Sequence, residues 1–411
     1  MTEREVTVAL VALGGYGNFY LRALLSESAA HHVRLVAGID PNPVSCRHLD
    51  ELKAAGVPLY PDLDAFYAAG TADLVMIAAP IHLHLPFTLN ALAHGSSVLC
   101  EKPLTGTIQE ARQMAEAAQQ YPQQFVGIAY QWSFSETMQA LKADILAGKL
   151  GRPLRLRTKV LWPRPASYYA RNAWAAKLKA SNGAWILDSP AQNATAHYLH
   201  NGFYLLGATR ETSAWPVDVQ AELYRANPIE NYDTAAIRCR TADGVEILFY
   251  TAHPVPNTIG PILSYEFEEA AVEYVAYTGT VIAHFRNGAT KDYGNPYADD
   301  ASKLWQAADA VRLGTDVAPL ACSIAGATPH VLSINGAQES MGDIVEFPPD
   351  LLRYRQEKED DVLTWVEGLQ ETLEASYDRG CLPSELGRVG WAKAGTVIDL
   401  RNYRHFPTYR G

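Results

Sequence analysis

Residues 6–17, with the sequence VTVALVALGGYG, decide the fold predicted for this chain. Residues 6–13 form a near-continuous apolar run, which is typical of a strand buried on both faces of a parallel sheet. A Gly-Gly-Tyr-Gly turn follows at 14–17, and the pattern over 18–25 predicts a helix. This order of elements offers backbone N–H groups and a helix N-terminus to an anion such as a dinucleotide pyrophosphate. The turn departs from G-x-G-x-x-G in carrying Ala12 at the first position, and a tight turn that binds nothing is the alternative.

Further strands and helices continue this pattern. Residues 33–39, 73–80 and 98–101 are apolar runs that predict buried strands. Short helices are predicted between them, for example over Asp62–Ala69, where an aspartate caps the start and a glycine follows the end. Strands that alternate with helices at this spacing are typical of βαβ units. We therefore predict a doubly wound parallel sheet.

The second part of the chain follows a different pattern. Alternating runs at 217–225, 234–240 and 245–252 predict strands, and Asp243-Gly244 predicts a hairpin turn between the last two. A long helix is predicted over about 189–206. The sheet of this region should therefore be open and mostly antiparallel.

At 411 residues the chain is long enough for two domains, each with its own core. We predict an α/β protein with a Rossmann dinucleotide-binding domain over 1–128. An α/β domain for substrate binding and oligomerisation should follow over 129–411, with helices from Leu351 onward. An open sheet with one uncovered apolar face usually needs a partner, so a homo-oligomer, a dimer or tetramer, is expected.

Composition argues against several classes of protein. Thirty-four basic and 45 acidic residues give a formal net charge of −11 without a basic cluster, so no nucleic-acid partner is expected. No apolar stretch has the length of a membrane span, and the charged start of the chain resembles neither a signal nor a transit peptide. The five cysteines are scattered and odd in number, which argues against a disulfide framework and a zinc site. We expect a cytoplasmic enzyme with no metal and no membrane partner.

Asp40 stands at the end of the second predicted strand, 23 residues after Gly17. A carboxylate at this position accepts hydrogen bonds from the adenosine ribose hydroxyls and repels a 2′-phosphate. Pro41 and Asn42 follow instead of an arginine, which favours NAD. Arg47 lies close enough in sequence to keep NADP open. An aspartate that merely starts a turn would explain the residue but not its spacing.

In the stretch VLCEKPL at 98–104, a lysine follows the apolar run, with a glutamate before it and a proline after it. Open α/β sheets bind ligands outside the carboxyl ends of their strands, so Lys102 should point into a ligand crevice. The neighbouring strand end carries His82 and His84 after Ala79-Pro80. For either histidine alone a structural role is the simpler interpretation, and their spacing fits no metal site.

Together the glycine turn, Ala79-Pro80 with His84, and Glu101-Lys102-Pro103 resemble the Gfo/Idh/MocA family of sugar-type oxidoreductases. The resemblance implies a Rossmann domain, a nicotinamide cofactor, and a second domain whose open sheet forms the substrate floor. It also implies that Lys102 contacts the reacting hydroxyl and the nicotinamide ribose. The predicted cofactor-binding residues are Gly14, Gly15, Tyr16, Gly17, Asp40, Ala79, Pro80, His84, Glu101 and Lys102.

The family carries an aspartate and a histidine four residues apart on a helix of the second domain. Counting back from residues 205–207 places His197 on the family histidine and Asn193 on the aspartate. Residues four apart share a helix face, but an amide cannot take up a proton, so half of the usual relay is missing. Asp188 supplies the carboxylate from the preceding segment or, in another register, is itself the family aspartate.

An aromatic and basic stretch runs from 162 to 177. Aromatic faces stack on sugar rings, and cationic side chains bind hydroxyls or an acidic group. An interdomain or subunit contact would use the same residue types. The predicted substrate-binding residues are Trp162, Arg164, Arg171, Trp174, Lys177 and His200.

We predict an NAD(P)-dependent dehydrogenase that acts on a secondary hydroxyl of a sugar, polyol or sugar derivative. His197 would take the hydroxyl proton while Lys102 polarises the oxygen. The two roles could be reversed, because a lysine beside oxidised nicotinamide should have a depressed pKa. An NAD-dependent glycoside hydrolase that acts by transient oxidation and elimination is one alternative, motivated by Asn193. A non-catalytic dinucleotide and sugar sensor is another.

Overall fold

The computed structural model describes residues 4–276 and 279–408. Its helices, in chain order, are α1 Gly17–Glu27, α2 Leu49–Ala54, α3 Leu63–Ala69, α4 His84–Ala93, α5 Ile108–Ala118, α6 Gln131–Phe134, α7 Glu136–Leu146, α8 Ala166–Ala170, α9 Ala196–Leu205, α10 Ser302–Leu313, α11 Ile324–Met341 and α12 Leu369–Arg379. Its strands are β1 Val6–Val11, β2 Val33–Ile39, β3 Leu59–Tyr60, β4 Leu74–Ile77, β5 Ser97–Cys100, β6 Val126–Ile128, β7 Pro153–Leu161, β8 Pro216–Arg225, β9 Thr234–Thr241, β10 Glu246–Ala252, β11 Ile259–Phe267, β12 Ala270–Val275, β13 Val281–Phe285, β14 Thr290–Gly294, β15 Val345–Glu346, β16 Leu352–Lys358, β17 Asp361–Val366 and β18 Ile398–Asp399.

The chain divides into two compact units. The first comprises residues 1–105, 110–135 and 299–327, and the second comprises 106–109, 136–298 and 328–411. The first unit is therefore assembled from segments that lie far apart in the sequence. The predicted domain boundary between residues 128 and 129 stays a prediction.

The first unit contains a parallel sheet with the strand order β3-β2-β1-β4-β5-β6. This is the predicted doubly wound arrangement, in which β1 lies at the centre and carries fully buried apolar side chains such as Val8 and Leu10. Helix α3 begins as the sequence indicates, because the Asp62 carboxylate accepts a hydrogen bond from Ala65 N at 2.8 Å. Helix α10 packs against α6 and contacts β1, β4 and β5 within the same unit.

The second unit contains a mixed, mostly antiparallel sheet with the order β14-β13-β12-β11-β7-β10-β9-β8-β15 in its described part. The pairs β7 with β10 and β8 with β15 are parallel, and the remaining pairs on this path are antiparallel. Strands β9 and β10 form the predicted hairpin, where Gly244 takes a φ of +79°. The predicted α/β fold class is confirmed for both parts of the chain.

Two expectations for the second unit are wrong. Residues 352–366 form the antiparallel pair β16 and β17 before any helix returns, because these charge-rich strands carry little apolar periodicity in the sequence. The predicted helix over 189–206 is interrupted as well. A π-helical turn spans Pro190–Ala194, and α9 starts only after Thr195, whose Oγ1 and backbone N both donate to the Pro190 carbonyl.

Among the described residues, no helix combines the length and the apolar character required to cross a membrane.

Candidate functional site

The glycine turn of the first unit leaves no room for a side chain at Gly17, and at Gly14 a side chain would require the Ser45 hydroxyl to move. A Cβ on Gly17 would lie 2.0 Å from the Ala12 carbonyl oxygen, and a Cβ on Gly14 would lie 1.9 Å from Ser45 Oγ. Ala12 itself takes a φ of +67°, which is why a glycine is typical at this first motif position. The chain tolerates alanine there at a cost of about 1–2 kcal/mol in backbone strain.

Asp40 follows β2 directly and is held against the glycine turn. One carboxylate oxygen accepts from Leu13 N at 2.9 Å, and the other accepts from Asn42 N at 2.8 Å. Each carboxylate oxygen has a second lone pair, so the group can still accept hydrogen bonds from a vicinal diol. The side chain is therefore oriented before any ligand arrives.

These residues fit a bound dinucleotide. Helix α1 begins at Gly17 and, within the described chain, has no acidic residue in its first turn and no side-chain cap. Its N-terminus therefore remains suited to an anion. Asn18 fixes the turn by donating to the carbonyls of Gly15 and Ser45 at 3.3 and 3.2 Å.

His84 links the two strand ends at which the remaining predicted cofactor residues lie. It is 1% exposed, and its Nε2 lies 2.9 Å from the Ala79 carbonyl oxygen. Its Nδ1 lies 2.8 Å from the carbonyl oxygen of Pro103. Burial lowers the pKa of His84, although the surrounding carbonyls act in the opposite direction. With both ring nitrogens on the backbone, His84 positions the segments after β4 and β5.

Glu101 is the centre of a buried polar network. It is 6% exposed, and its Oε1 accepts from the Tyr20 hydroxyl at 2.5 Å and from Lys303 Nζ at 3.1 Å. Its Oε2 accepts from Lys102 N at 3.0 Å. The carboxylate thus fixes the backbone of Lys102, whose side chain is half-buried. Burial, followed by the charge of Glu101, raises the pKa of Tyr20 well above its ordinary value.

Lys303 is a residue that the sequence interpretation missed. Its side chain is fully buried in the first unit, and its Nζ also donates to the Tyr16 hydroxyl at 3.1 Å. Burial opposes the charge, but Glu101 and Tyr16 hold the pKa of Lys303 above its ordinary value. No local motif marks this lysine, because its partner Glu101 lies 202 residues away. The network of Tyr16, Tyr20, Glu101 and Lys303 is called the Glu101 network below.

In the second unit, the described stretch 189–205 is buried except at three positions, 193, 194 and 197. Asn193 lies in the π-helical turn and His197 in the first turn of α9. The two residues therefore do not share one continuous α-helix, although both remain partly exposed. His200 is different, since it is fully buried and stacks on Tyr204 at 6.0 Å. Burial lowers the pKa of His200 well below its ordinary value, which favours the neutral ring, and its predicted substrate role stays a prediction.

Asp188 and Asn193, the two candidates for the family aspartate, are hydrogen-bonded to each other. Asn193 Nδ2 donates to Asp188 Oδ1 at 2.8 Å, and Ala176 N donates to Asp188 Oδ2 at 2.6 Å. Arg171 Nη2 lies 3.6 Å from the same carboxylate. The amide therefore sits beside a carboxylate, and the predicted roles of both residues stay predictions.

The aromatic and basic stretch contains a cluster of cations and rings. The guanidinium of Arg171 lies 3.8 Å from the centre of the Tyr168 ring, and that of Arg164 lies 5.0 Å from it. His253 packs against Tyr168 at 5.4 Å between ring centres. Burial and then the charge of Arg164 lower the pKa of His253 to about 3, so the ring is neutral at physiological pH. Trp162 contacts the ring of Tyr198, which follows His197, at 5.7 Å.

The remaining predicted substrate residues lie at the end of this stretch. Lys177 forms an ion pair with Glu230 at 2.7 Å, and the pair borders a cavity of about 290 Å³. Trp174 lies 5.4 Å from the guanidinium of Arg171 and half-buried beside it. Each unit thus gathers its own predicted residues, those for the cofactor in the first and those for the substrate in the second.

Residues 6–129 match the model of the Gfo/Idh/MocA oxidoreductase family, which is described as having an NAD-binding Rossmann fold. The rhizopine catabolism protein MocA of Rhizobium meliloti is 33% identical over 144 residues, which is 35% of this chain and 43% of that protein. The inositol 2-dehydrogenase of Burkholderia multivorans is 29% identical over 149 residues, which is 36% of this chain and 44% of that enzyme. These matches therefore span less than half of each relative.

Solved structures extend the likeness in fold. An oxidoreductase from Agrobacterium radiobacter in complex with NAD+, L-tartaric acid and magnesium matches with a TM-score of 0.65 and 18% identity, covering 82% of this chain and 96% of that one. The WlbA dehydrogenase of Bordetella pertussis, in complex with NADH and UDP-GlcNAcA, matches with a TM-score of 0.65 and 20% identity, covering 82% and 97%. At these identities the likeness concerns the fold.

Proposed function

Because residues 6–129 match the model of the Gfo/Idh/MocA family of NAD-binding oxidoreductases, we propose that this chain is an NAD-dependent sugar or polyol dehydrogenase. The observation that carries the proposal is Lys102, which follows β5 of a Rossmann sheet and is fixed through Glu101 by a buried lysine. A cation held at a strand end of such a sheet suits a site where negative charge develops on oxygen.

The cofactor would be held by the glycine turn and Asp40. The N-terminus of α1 suits the pyrophosphate, and the oriented Asp40 carboxylate suits the ribose diol and disfavours a 2′-phosphate. NAD, when bound, supplies the acceptor for the hydride. NADP remains the second choice, since Arg47 lies in the segment that follows Asp40.

Residues of the chain would accept the hydroxyl proton and stabilise the negative charge that develops on the reacting oxygen. A secondary alcohol must lose its hydroxyl proton as the carbonyl forms, and we propose His197 as the base. Lys102 would stabilise the developing negative charge on the oxygen with its ammonium. Asn193, hydrogen-bonded to Asp188, would orient the sugar and not accept a proton. In the reverse assignment Lys102 is the base and His197 the hydrogen-bond donor.

The test is a screen of sugars, polyols and aryl glycosides with NAD, in which NADH is followed by absorbance. Net NADH formation that is lost in Lys102→Ala, but kept in the exposed-lysine control Lys53→Ala, supports the dehydrogenase. Aglycone release without net NADH would replace the proposal with the redox-assisted hydrolase. Binding of NAD and a sugar without hydride exchange to a labelled substrate would replace it with the sensor.

Two further parts of the proposal concern assembly and location. We propose a homo-oligomer, because Val275, on strand β12 of the open sheet, is 60% exposed. We also propose a cytoplasmic location, because Cys46, Cys100, Cys239 and Cys381 are free thiols. Size-exclusion chromatography with light scattering tests the first of these.

A further inference from the structure

A series of contacts in the second unit, called the Arg164 circuit below, connects several of the predicted substrate residues. The circuit runs through Asn193, Asp188, Arg171, Tyr168, Arg164 and Trp162. It ends at Trp162, which contacts the ring of Tyr198, and Tyr198 in turn lies 6.4 Å between ring centres from His197. The arginines therefore lie on the same patch of the second unit as the proposed base.

The charges of this circuit do not cancel. Asp188 is 5% exposed in its side chain and is already engaged by Arg171, Ala176 N and Asn193. His253 stays neutral beside the two arginines, as its lowered pKa of about 3 indicates. Two guanidinium groups and one carboxylate leave a surplus of one positive charge.

The surplus belongs to Arg164. Within the described residues it makes no ion pair, and its buried Nε has no hydrogen-bond partner. Its Nη1 donates to the Pro163 carbonyl at 3.0 Å, and its guanidinium lies 5.0 Å from the centre of the Tyr168 ring. A guanidinium has five N–H donors in a planar fork that matches an oxyanion. Donors therefore remain for a ligand.

Nearby acidic side chains have other partners. Glu230 pairs with Lys177 at 2.7 Å, and Asp361 accepts from Ser167 N at 2.8 Å. Asp233, which also lies near Tyr169, is fully buried and accepts from Asn227 N at 2.9 Å and from Asn227 Nδ2 at 2.8 Å. A partly buried cation without a counter-charge is costly, and an anionic ligand would remove that cost. This favours an anionic ligand over a neutral one.

We propose that the substrate of the second unit is an acidic sugar, whose carboxylate or phosphate is bound by Arg164. The inference rests on the proposed sugar dehydrogenase and names its substrate class. A carboxylate and a phosphate are both oxyanions that a guanidinium can bind, and the experiment below distinguishes between them. Arg171 would support the site indirectly by holding Asp188 and Tyr168 in place.

The test compares matched pairs of ligands on the full-length protein with NAD present. Hexuronates, hexose 6-phosphates and the parent neutral hexoses are screened by calorimetry and by NADH formation. A hexuronate or a hexose 6-phosphate should bind more tightly than the neutral hexose from which it derives. Arg164→Met should weaken that acidic ligand by about 10- to 100-fold, and Arg164→Lys should weaken it less.

Two controls separate a binding role from a structural one. Lys179→Met removes a comparable cation, 4.1 Å over the Trp185 ring, and should leave the preference unchanged. In Arg164→Met, binding of neutral hexoses and of NADH should stay within about twofold of the parent protein. Thermal unfolding verifies that each variant is folded.

The outcomes also separate this inference from the proposed function. If acidic sugars bind preferentially but no NADH forms, the substrate-class inference stands and the dehydrogenase does not. If NADH forms best with a neutral sugar, the dehydrogenase stands and the inference is overturned. The inference is also overturned if no acidic sugar binds more tightly than its neutral parent, or if Arg164→Met weakens both alike.

Discussion

The Glu101 network and the Arg164 circuit use the same residue types for opposite purposes. In the first unit, Lys303 and Glu101 are 0% and 6% exposed, and their charges cancel. In the second unit, Arg171 and Asp188 cancel, but Arg164 lacks a counter-charge among the described residues and is half-buried. Both contain tyrosines that hydrogen-bond to or stack on the cations.

The difference is one of charge balance and exposure. The buried ion pair of the Glu101 network has no surplus charge to offer a ligand, and the contact that it makes with the Lys102 backbone fixes the geometry there. A network with surplus charge and partial exposure is available to bind. Four predictions test whether this division holds, beginning with the largest expected effect.

Lys102→Ala should lower turnover by about 10³- to 10⁴-fold, because both charge stabilisation and substrate orientation are lost. Binding of NADH, measured by fluorescence titration, should change little, because the glycine turn and Asp40 are untouched. Turnover close to that of the parent protein would contradict the role of Lys102.

Lys303→Met should destabilise the protein by about 3–5 kcal/mol, because it leaves the Glu101 carboxylate buried without its cation. Urea unfolding followed by circular dichroism measures the loss. The double variant Lys303→Met with Glu101→Gln should recover much of this stability, since no uncompensated charge remains. An equally unstable double variant would show that Lys303 contributes by packing alone, and the contrast between the two networks would weaken.

Asp40→Asn should shift the ratio of kcat/KM for NAD over NADP by about 10- to 100-fold toward NADP, because the carboxylate that repels a 2′-phosphate is gone. Asp40 accepts one backbone hydrogen bond on each of its two carboxylate oxygens. An asparagine has only one acceptor oxygen, so the free energy of unfolding should fall slightly as well. An unchanged cofactor ratio would place ribose recognition elsewhere.

His253→Asn should reduce the acid sensitivity of the second unit. The folded-state pKa of about 3 lies below the ordinary 6.5, so the unfolded chain binds an extra proton between these values. Stability contributed by the neutral histidine is therefore complete above pH 6.5 and is lost as the pH falls toward 3, by about 1.4 kcal/mol per pH unit. The free energy of unfolding should therefore differ less between pH 7 and pH 5 in the variant than in the parent protein. An equal difference would mean that other groups dominate.

The fold could be predicted because its periodicities are local. The apolar run at 6–13, the glycine turn and the Asp62 cap each predict an element that the structure contains within a few residues. The hairpin at Gly244 was predictable for the same reason. The candidate site was predictable where a motif marks it, as at Lys102 and Asp40, and those site assignments stay predictions.

The rest depends on contacts that no short pattern encodes. Lys303 reads as an ordinary polar residue near the start of α10, and its importance comes from a carboxylate 202 residues earlier. The π-helical turn depends on the bonds that Thr195 makes to the Pro190 carbonyl. The surplus charge of Arg164 appears only when the partners of Asp188, Glu230 and Asp361 are known.

The divided composition of the first unit has a consequence for protein synthesis. The segment ending at residue 135 leaves the ribosome before the segment 299–327 that carries Lys303. At translation rates of about 5–20 residues per second, roughly 10–40 s separate the synthesis of Glu101 from that of its buried cation, 202 residues later. During that interval the Rossmann strands exist without the helix that neutralises their carboxylate. The first unit can therefore complete its fold only after residues 136–298 of the second unit have been translated.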